Sequence, residues 1–531
     1  MTTLTTAAAG NWRRIRRWAT PPAMIRAATD ARLAGDWRAA CAAANVDVEL
    51  DDDQAKLFED DLAHFAPDLL RWHLPRKPAR GDTHLDARQV FHLLGDGPSL
   101  YIGGTRLGFG SQRLRLFATA EPLDTDAWED WEWDDGPRPF HALHDYRALR
   151  HLFDARESRS LLDGCGWTHL PFHDPAGRPL PESAWGATER ILALHDAGRF
   201  LEAWQAAGAD VPEPPQDEHR WLTRILGRLW TGFLGEHTAV LNAARARGTD
   251  QVGLTFGWNH VLKLTGFDRP RLTGEWLSTG YRERDEDWHL DTGPYERPID
   301  ADLVRLGAVP VSWLHPLVHA AFFPEAEPSG GKSRTPRTEA RLRCRDGAWH
   351  QVRMTGGRLD IPHTDEERRR EQALLALGGQ VHGCLAAEQA WRDGRARLPR
   401  ALRELRADLM LRAQHGDLPG VLELLDAGVD PHARDAHGRT LLHHISGLMA
   451  APDDLTLLHR LIDAGLDVHA RDRRGMTPLQ TAAYDTGSLD LVRALIAAGA
   501  DLDGEDDNGV SVVETMDRFG RPELKTLLHD R

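Results

Sequence analysis

Cysteine is scarce in this 531-residue chain, and Cys41, Cys165, Cys344 and Cys384 stand far apart, with no two at a paired spacing. That distribution excludes a disulfide framework, carries no Cys-rich zinc signature and fits a reducing cytoplasm. Long apolar runs are missing as well. No stretch approaches the ~20 residues needed to cross a bilayer, and Arg13, Arg14, Arg16 and Arg17 precede any hydrophobic segment, so no secretory leader or membrane association is expected. Nor is there a surplus of positive charge. The formal net charge is −16, whereas phosphate contacts require a basic surface, so general nucleic-acid binding is excluded. Lysine is confined to Lys56, Lys77, Lys263, Lys332 and Lys525. Arginine carries the rest of the positive charge, and with abundant Ala, Gly and Asp this bias points to a GC-rich bacterial coding sequence.

What remains is a polypeptide too long for one ordinary domain, with the 41% hydrophobic and 27% charged content of a globular protein. Its carboxy-terminal quarter repeats. Asp435-Ala436-His437-Gly438, Asp472-Arg473-Arg474-Gly475 and Asp506-Asp507-Asn508-Gly509 stand 37 and then 34 residues apart, each followed by Thr440, Thr477 or Ser511. Ala427-Gly428-Val429-Asp430, Ala464-Gly465-Leu466-Asp467 and Ala498-Gly499-Ala500-Asp501 recur at the same intervals. Gly438 and Gly475 supply left-handed turns at loop tips. Thr440 and Thr477 are placed to cap the next helix, with Pro478 in its first turn. Leu491, Val492, Leu495 and Ile496 form a buried helical stripe.

From about Leu402 to Arg531 the chain thus resembles the ankyrin-repeat family, whose period is about 33 residues. The excess falls in the turn Ser446 to Asp454. Leu441 departs from the family's proline, and Gln480 and Glu514 from its histidine. Met516-Asp517 replaces its alanine pair, as suits a terminal cap. The helix Pro399 to Gln414 is expected as the opposite cap, giving about four units. The resemblance implies a stack that binds a partner protein through loop tips and concave face. The residues it nominates are His437, Arg439, Arg473, Arg474, Met476, Tyr484, Asp507, Asn508 and Val510.

The region before it matches itself. Ala34-Gly35-Asp36-Trp37 with Ala43 to Val48 parallels Ala197-Gly198-Arg199-Phe200 with Ala206 to Val211. Asp154, Ala155, Arg159, Trp167, His169 and His173 recur ungapped as Asp300, Ala301, Arg305, Trp313, His315 and His319. A tandem duplication of an α+β unit is expected, with strands over Leu100–Ile102, Arg113–Phe117, Gly253–Phe256 and Val261–Leu264. The organisation expected is therefore multidomain: α+β halves at 1–183 and 184–324, a linker at 325–338, a hairpin-plus-helices module at 339–397, and an all-α ankyrin solenoid at 398–531. In the module, Ala340–Cys344 and Gln351–Met354 should pair across Asp346-Gly347, and Thr364 with Glu367 should open a helix.

Catalytic signals are weak. Ala326 to Ser333 fits a loose phosphate-loop spacing, but it follows Phe322-Phe323-Pro324 and precedes Pro336 instead of joining a strand to a helix. His169 with His173 and His315 with His319 could share zinc, yet Pro171 and Pro316 interrupt them, and packed, hydrogen-bonded histidines are the favoured reading. The glycines from Gly103 to Gly110 read as hairpin turns, and the acidic, Trp-rich stretch Trp128–Asp135 as a docking loop or a strand edge. Arg-rich Trp12–Trp18 is expected as a polar lead-in to a helix capped by Thr20. The expectation is a cytoplasmic adaptor or scaffold without cofactor or metal and without catalysis. The alternative is an enzyme or toxin-like effector, its site, possibly metal-dependent, in the duplicated region and its ankyrin arm used for targeting.

Overall fold

A computed structural model describes residues 6–76, 83–85, 88–104, 111–123, 142–163, 165–213, 241–242, 245–246, 250–256, 260–278, 289–290, 298–327, 338–344, 347–378, 382–393, 398–449, 454–485, 487–518 and 524. The phosphate-loop-like segment from Pro328 onward, Gly108–Gly110 and Trp128–Asp135 lie outside the described residues.

Helices Thr6–Trp18, Pro22–Leu33 and Trp37–Ala43 open the chain. Gly35, at φ +80°, turns the second into the third, and Asp36 caps the third by accepting from the Ala39 N–H at 2.9 Å. Thr20 is not the expected cap. Pro21 occupies that position without a side-chain bond and Pro22 begins the helix. Strand β1 (Val46–Val48) follows, then β2 (Gln89–Leu94), β3 (Ser99–Gly103), β4 (Leu114–Thr119) and β5 (Ala142–Asp145). β2, β3 and β4 form an antiparallel meander, while β1 lies parallel to β4 and β5 parallel to β2, giving the order β1-β4-β3-β2-β5.

The second half begins with helices Ala187–Asp196 and Phe200–Ala207, turned at Gly198 (φ +75°). Its strands are β6 (Ala209–Asp210), β7 (Gln251–Phe256), β8 (His260–Thr265), β9 (Leu272–Ser278) and β10 (His289–Leu290). Here β7, β8 and β9 are the antiparallel meander, with β6 parallel to β9 and β10 parallel to β7. Read from β6, the order is β6-β9-β8-β7-β10, strand for strand that of the first sheet. The alternating apolar residues Val252, Leu254, Leu262 and Leu264 are buried beneath this sheet as Leu100, Ile102, Leu114 and Leu116 are beneath the other.

A third core joins the halves, with Ile25, Leu69 and Trp72 packed among Leu161, Trp167, Leu192, Val318, Phe322 and Phe323. Polar ties cross the same seam. Arg16, read from sequence as part of a polar lead-in to the first helix, lies within helix Thr6–Trp18 and is buried. Its guanidinium grips Asp300 at 2.5 and 3.0 Å, donates to the Trp72 carbonyl at 2.7 Å and lies over the Trp72 ring. The Trp72 indole N–H donates to the same carboxylate at 2.9 Å.

The module after the linker is a three-stranded antiparallel sheet of β11 (Glu339–Arg343), β12 (Trp349–Thr355) and β13 (Arg358–Asp360) with helices Asp365–Ala376 and Gly383–Asp393. Thr364 and Glu367 form the expected capping box. Its apolar residues, from Ala340 to Trp391, belong to one continuous core with the repeat helices through Met516 and Leu524. The Trp391 indole donates to the Asp430 carbonyl at 3.3 Å, the Arg406 guanidinium to the Ala390 carbonyl at 2.7 Å, and the Gly357 N–H to the Gly428 carbonyl at 3.1 Å. The module therefore covers the first end of the stack.

The repeat helices are Arg400–Gln414 with Leu418–Asp426, a 3-10 helix Leu441–Gly447 with Thr456–Asp463, Pro478–Tyr484 with Leu489–Ala497, and Val512–Arg518. The first half of the molecule lies along the turns between the paired helices. Asn45 donates to the Gly416 carbonyl at 3.2 Å, Thr83 meets His415 at 3.0 Å, and the Ser111 N–H donates to Asp485. Gly447 has no room for a side chain there, since a Cβ would lie 2.6 Å from the Ser111 carbonyl oxygen. Among the described residues no helix is long and apolar enough to cross a membrane.

Candidate functional site

Opposite those turns, three loop tips are built from one local pattern. Asp435 Oδ1 accepts from the His437 and Arg439 N–H groups at 2.7 and 2.9 Å. Asp472 Oδ1 does the same for Arg474 and Met476 at 2.8 and 3.0 Å, and Asp506 Oδ1 for Asn508 and Val510 at 2.8 and 3.0 Å. A short aspartate followed by a left-handed glycine satisfies the tip's backbone donors without a partner from elsewhere. Adjacent tips are stitched by Arg473 N–H to His437 C=O and Asp507 N–H to Arg474 C=O, both 2.9 Å.

The helix that follows each tip ties it to the next. His443 caps Thr440 and reaches the Met476 carbonyl at 3.1 Å. In the next unit Gln480, where the resemblance expects histidine, caps Thr477 at 2.9 Å and donates to the Val510 and Gly504 carbonyls at 2.9 and 3.1 Å. The amide thus takes over both bonds of the imidazole. Burial holds the His443 pKa down to about 3, against the raising effect of the Met476 carbonyl. Asp435 is also partly withdrawn from water, which by itself opposes its charge. The His444 ring and the Arg439 guanidinium outweigh this and keep its carboxyl below the usual range.

Of the nominated contact residues, His437, Arg473, Arg474, Asp507 and Asn508 are exposed, and Val510 is half-buried. They make a surface that is basic in the middle and acidic at its end. Three others lie elsewhere. Arg439 is buried against Asp435, Met476 is buried, and the Tyr484 hydroxyl accepts from Arg88 of the first half at 3.1 Å. Tyr484 follows helical logic into the inter-helix turn, and nothing in the local sequence signals that another domain lies there.

The four histidines weighed as zinc ligands are not brought together. His169 pairs with Glu189 at 3.2 Å and His315 with Asp68 at 2.9 Å. His173 and His319 each stand edge-on to Phe323, and burial lowers the pKa of both. Among the described residues, the group with metal-ligand geometry lies in the module instead. The sulfurs of Cys344 and Cys384 and ring nitrogens of His350 and His363 all lie within 4.8 Å of one another. Sequence spacing missed it, because its ligands come from two strand ends, a loop and a helix start instead of a close pair. The hairpin pattern was the one usable signal, since it put Cys344 at the end of one strand and His350 just before the strand it faces.

An open groove of about 820 Å³ lies between β12 and the outer helices. Its charged side chains answer one another, Glu339 with Arg353 and Asp426 with Arg460.

Residues 409–506 match the family model for ankyrin repeats, in three copies. No curated protein matches the chain.

Proposed function

We propose that this protein is an adaptor or scaffold that binds a partner protein through the exposed tips of its ankyrin solenoid. Ankyrin repeats generally mediate protein–protein interaction, and the observation that carries the reading here is the row of tips. Each is rigid through its own aspartate and its neighbour's backbone, and the row leaves Arg473 and Arg474 exposed beside His437, Asp507 and Asn508. A preorganised surface loses little entropy on binding, and arginine is a frequent anchor in interfaces of about 800 Å² per side. The proposal rests on the tips, which stand at the opposite end of the helices from the inter-helix turns that the first half of the molecule meets.

The amino-terminal region serves in this reading as a platform that arose by tandem duplication. The identical strand orders and the two glycine-turned helix pairs support that origin. A reducing cytoplasm suits four cysteines of which none is bridged. The enzyme or effector alternative drew on the histidine pairs, and each of His169 and His315 already has its own carboxylate.

The test is affinity purification with the full chain and with Arg473→Glu/Arg474→Glu, quantified by mass spectrometry and followed by hydrogen exchange on the recovered complex. A partner lost from the variant, and protecting residues 435–439, 472–476 and 506–510 in the wild type, supports the reading. Equal recovery with both chains rejects the tips as the binding surface. Stability should change by no more than about 0.5 kcal/mol, since both side chains are exposed.

A further inference from the structure

We infer that Cys344, His350, His363 and Cys384 bind one Zn2+ in a closed, structural site that fastens the module to the first end of the ankyrin stack. The distances are the first argument. Cys344 Sγ lies 3.4 Å from Cys384 Sγ, from His350 Nδ1 and from His363 Nε2. His350 Nδ1 is 3.0 Å from His363 Nε2 and 3.6 Å from Cys384 Sγ. A tetrahedral Zn2+ with bonds of about 2.3 Å to sulfur and about 2.0 Å to nitrogen has ligand–ligand edges of about 3.3–3.8 Å. Five of the six edges, at 3.0–3.6 Å, are close to these, and the sixth lies within 4.8 Å.

Hydrogen bonding cannot account for the cluster. Each thiol and each neutral imidazole offers at most one proton, so four groups cannot satisfy six mutual edges. Nor is it a disulfide, since the two sulfurs stand 3.4 Å apart, well beyond bonding distance. A cation at the centre satisfies all four lone pairs at once.

The surroundings fit a metal. The Cys384 N–H points at Cys344 Sγ from 3.4 Å, which stabilises a thiolate. The Glu367 carboxylate, which caps Thr364, also faces the other ring nitrogen of His363 at 3.7 Å, adding negative charge on the outer side of that imidazole. Gly383, at φ +63°, lets Cys384 approach, for a Cβ on it would lie 2.5 Å from Cys344 Sγ. Two thiolates and two imidazoles in tetrahedral array favour zinc among the common metals, and four protein ligands leave no open coordination position for catalysis. Both cysteines are buried. The ligands join the β11 and β12 ends, the loop after β13 and the start of helix Gly383–Asp393, whose Trp391 plugs into the repeat core. A module of this size has little core of its own, and metal binding supplies part of its folding free energy.

The experiment uses the full chain, purified without chelator and under reducing conditions. Elemental analysis should find about one zinc per chain. Cobalt titration of the metal-stripped protein should give the thiolate charge-transfer and intense visible bands of tetrahedral cobalt. Cys344→Ser/Cys384→Ser should lose the metal, while His169→Gln/His173→Gln should keep it. Stripping the wild type should lower its thermal midpoint and increase hydrogen exchange in residues 339–393 and 400–430, reversibly on adding Zn2+. A metal-free wild type that shows no tetrahedral cobalt spectrum overturns the site, whether or not the cysteine variant folds. Full zinc content in the cysteine variant, or a Cys344–Cys384 disulfide in a metal-free chain, overturns it equally.

Discussion

The repeat stack and the amino-terminal platform both bury many polar groups, and they satisfy them over very different distances along the chain. In the stack the partners are close. Asp435, Asp472 and Asp506 bond N–H groups two and four residues on, and Thr477 bonds Gln480 three residues on. In the platform the decisive ties are remote, Arg16 to Asp300, Trp72 to Asp300 and Asp68 to His315. Local satisfaction leaves a periodic trace in sequence. Remote satisfaction leaves isolated charged residues that look like surface.

Breaking a remote tie should produce the largest effect. Arg16 and Asp300 keep only 2% and 1% of their side chains exposed, so Asp300→Ala leaves a buried guanidinium with no carboxylate at this position. The expected loss is about 3–5 kcal/mol in chemical denaturation, with hydrogen exchange rising in both 6–76 and 298–323. A loss under about 1 kcal/mol, or exchange confined to one half, would show that the seam does not couple them.

The repeat side of the comparison can be broken at Gly475. Its φ is +77°, and a Cβ would sit 2.7 Å from the Asp507 backbone nitrogen of the next tip. Gly499 has a similar φ of +96° but open space around it. Gly475→Ala should therefore cost about 2–4 kcal/mol, strain plus clash, and Gly499→Ala only about 1–2 kcal/mol from the backbone alone. Equal costs would mean that the tips do not touch as described.

The same distinction decides what could be read beforehand. The recurring tip motif, the strands around Leu100, Leu116, Val252 and Leu262, and the Thr364–Glu367 cap were all legible, because each rests on neighbours in sequence. Arg16 was not, for nothing within a helix turn of it announces Asp300. Nor was the Cys344–His350–His363–Cys384 cluster, whose members meet only once β12 has paired with β11 and Gly383 has let Cys384 approach Cys344. Tyr484 and Met476 were misplaced for a related reason: repeat position tells which face a residue occupies but not what covers it.

The smallest effect sharpens the comparison within the stack, between two units that make one connection with different chemistry. His443 and Gln480 each cap a threonine and bond a carbonyl of the following tip, but only the imidazole can titrate. Burial holds the folded-state pKa of His443 at about 3, while the unfolded chain takes up a proton near pH ~6.5. Between those values the unfolded state binds more protons, so His443 makes stability rise with pH across that window. Its contribution is complete above about pH 6.5 and is lost as the pH falls. His443→Gln should preserve both bonds, change stability at neutral pH by about 1 kcal/mol or less, and flatten the slope by about one proton. Urea unfolding of both chains at several pH values reads this directly. If the slopes coincide, His443 does not stay neutral in the folded stack, and the equivalence of the two units holds for geometry but not for charge.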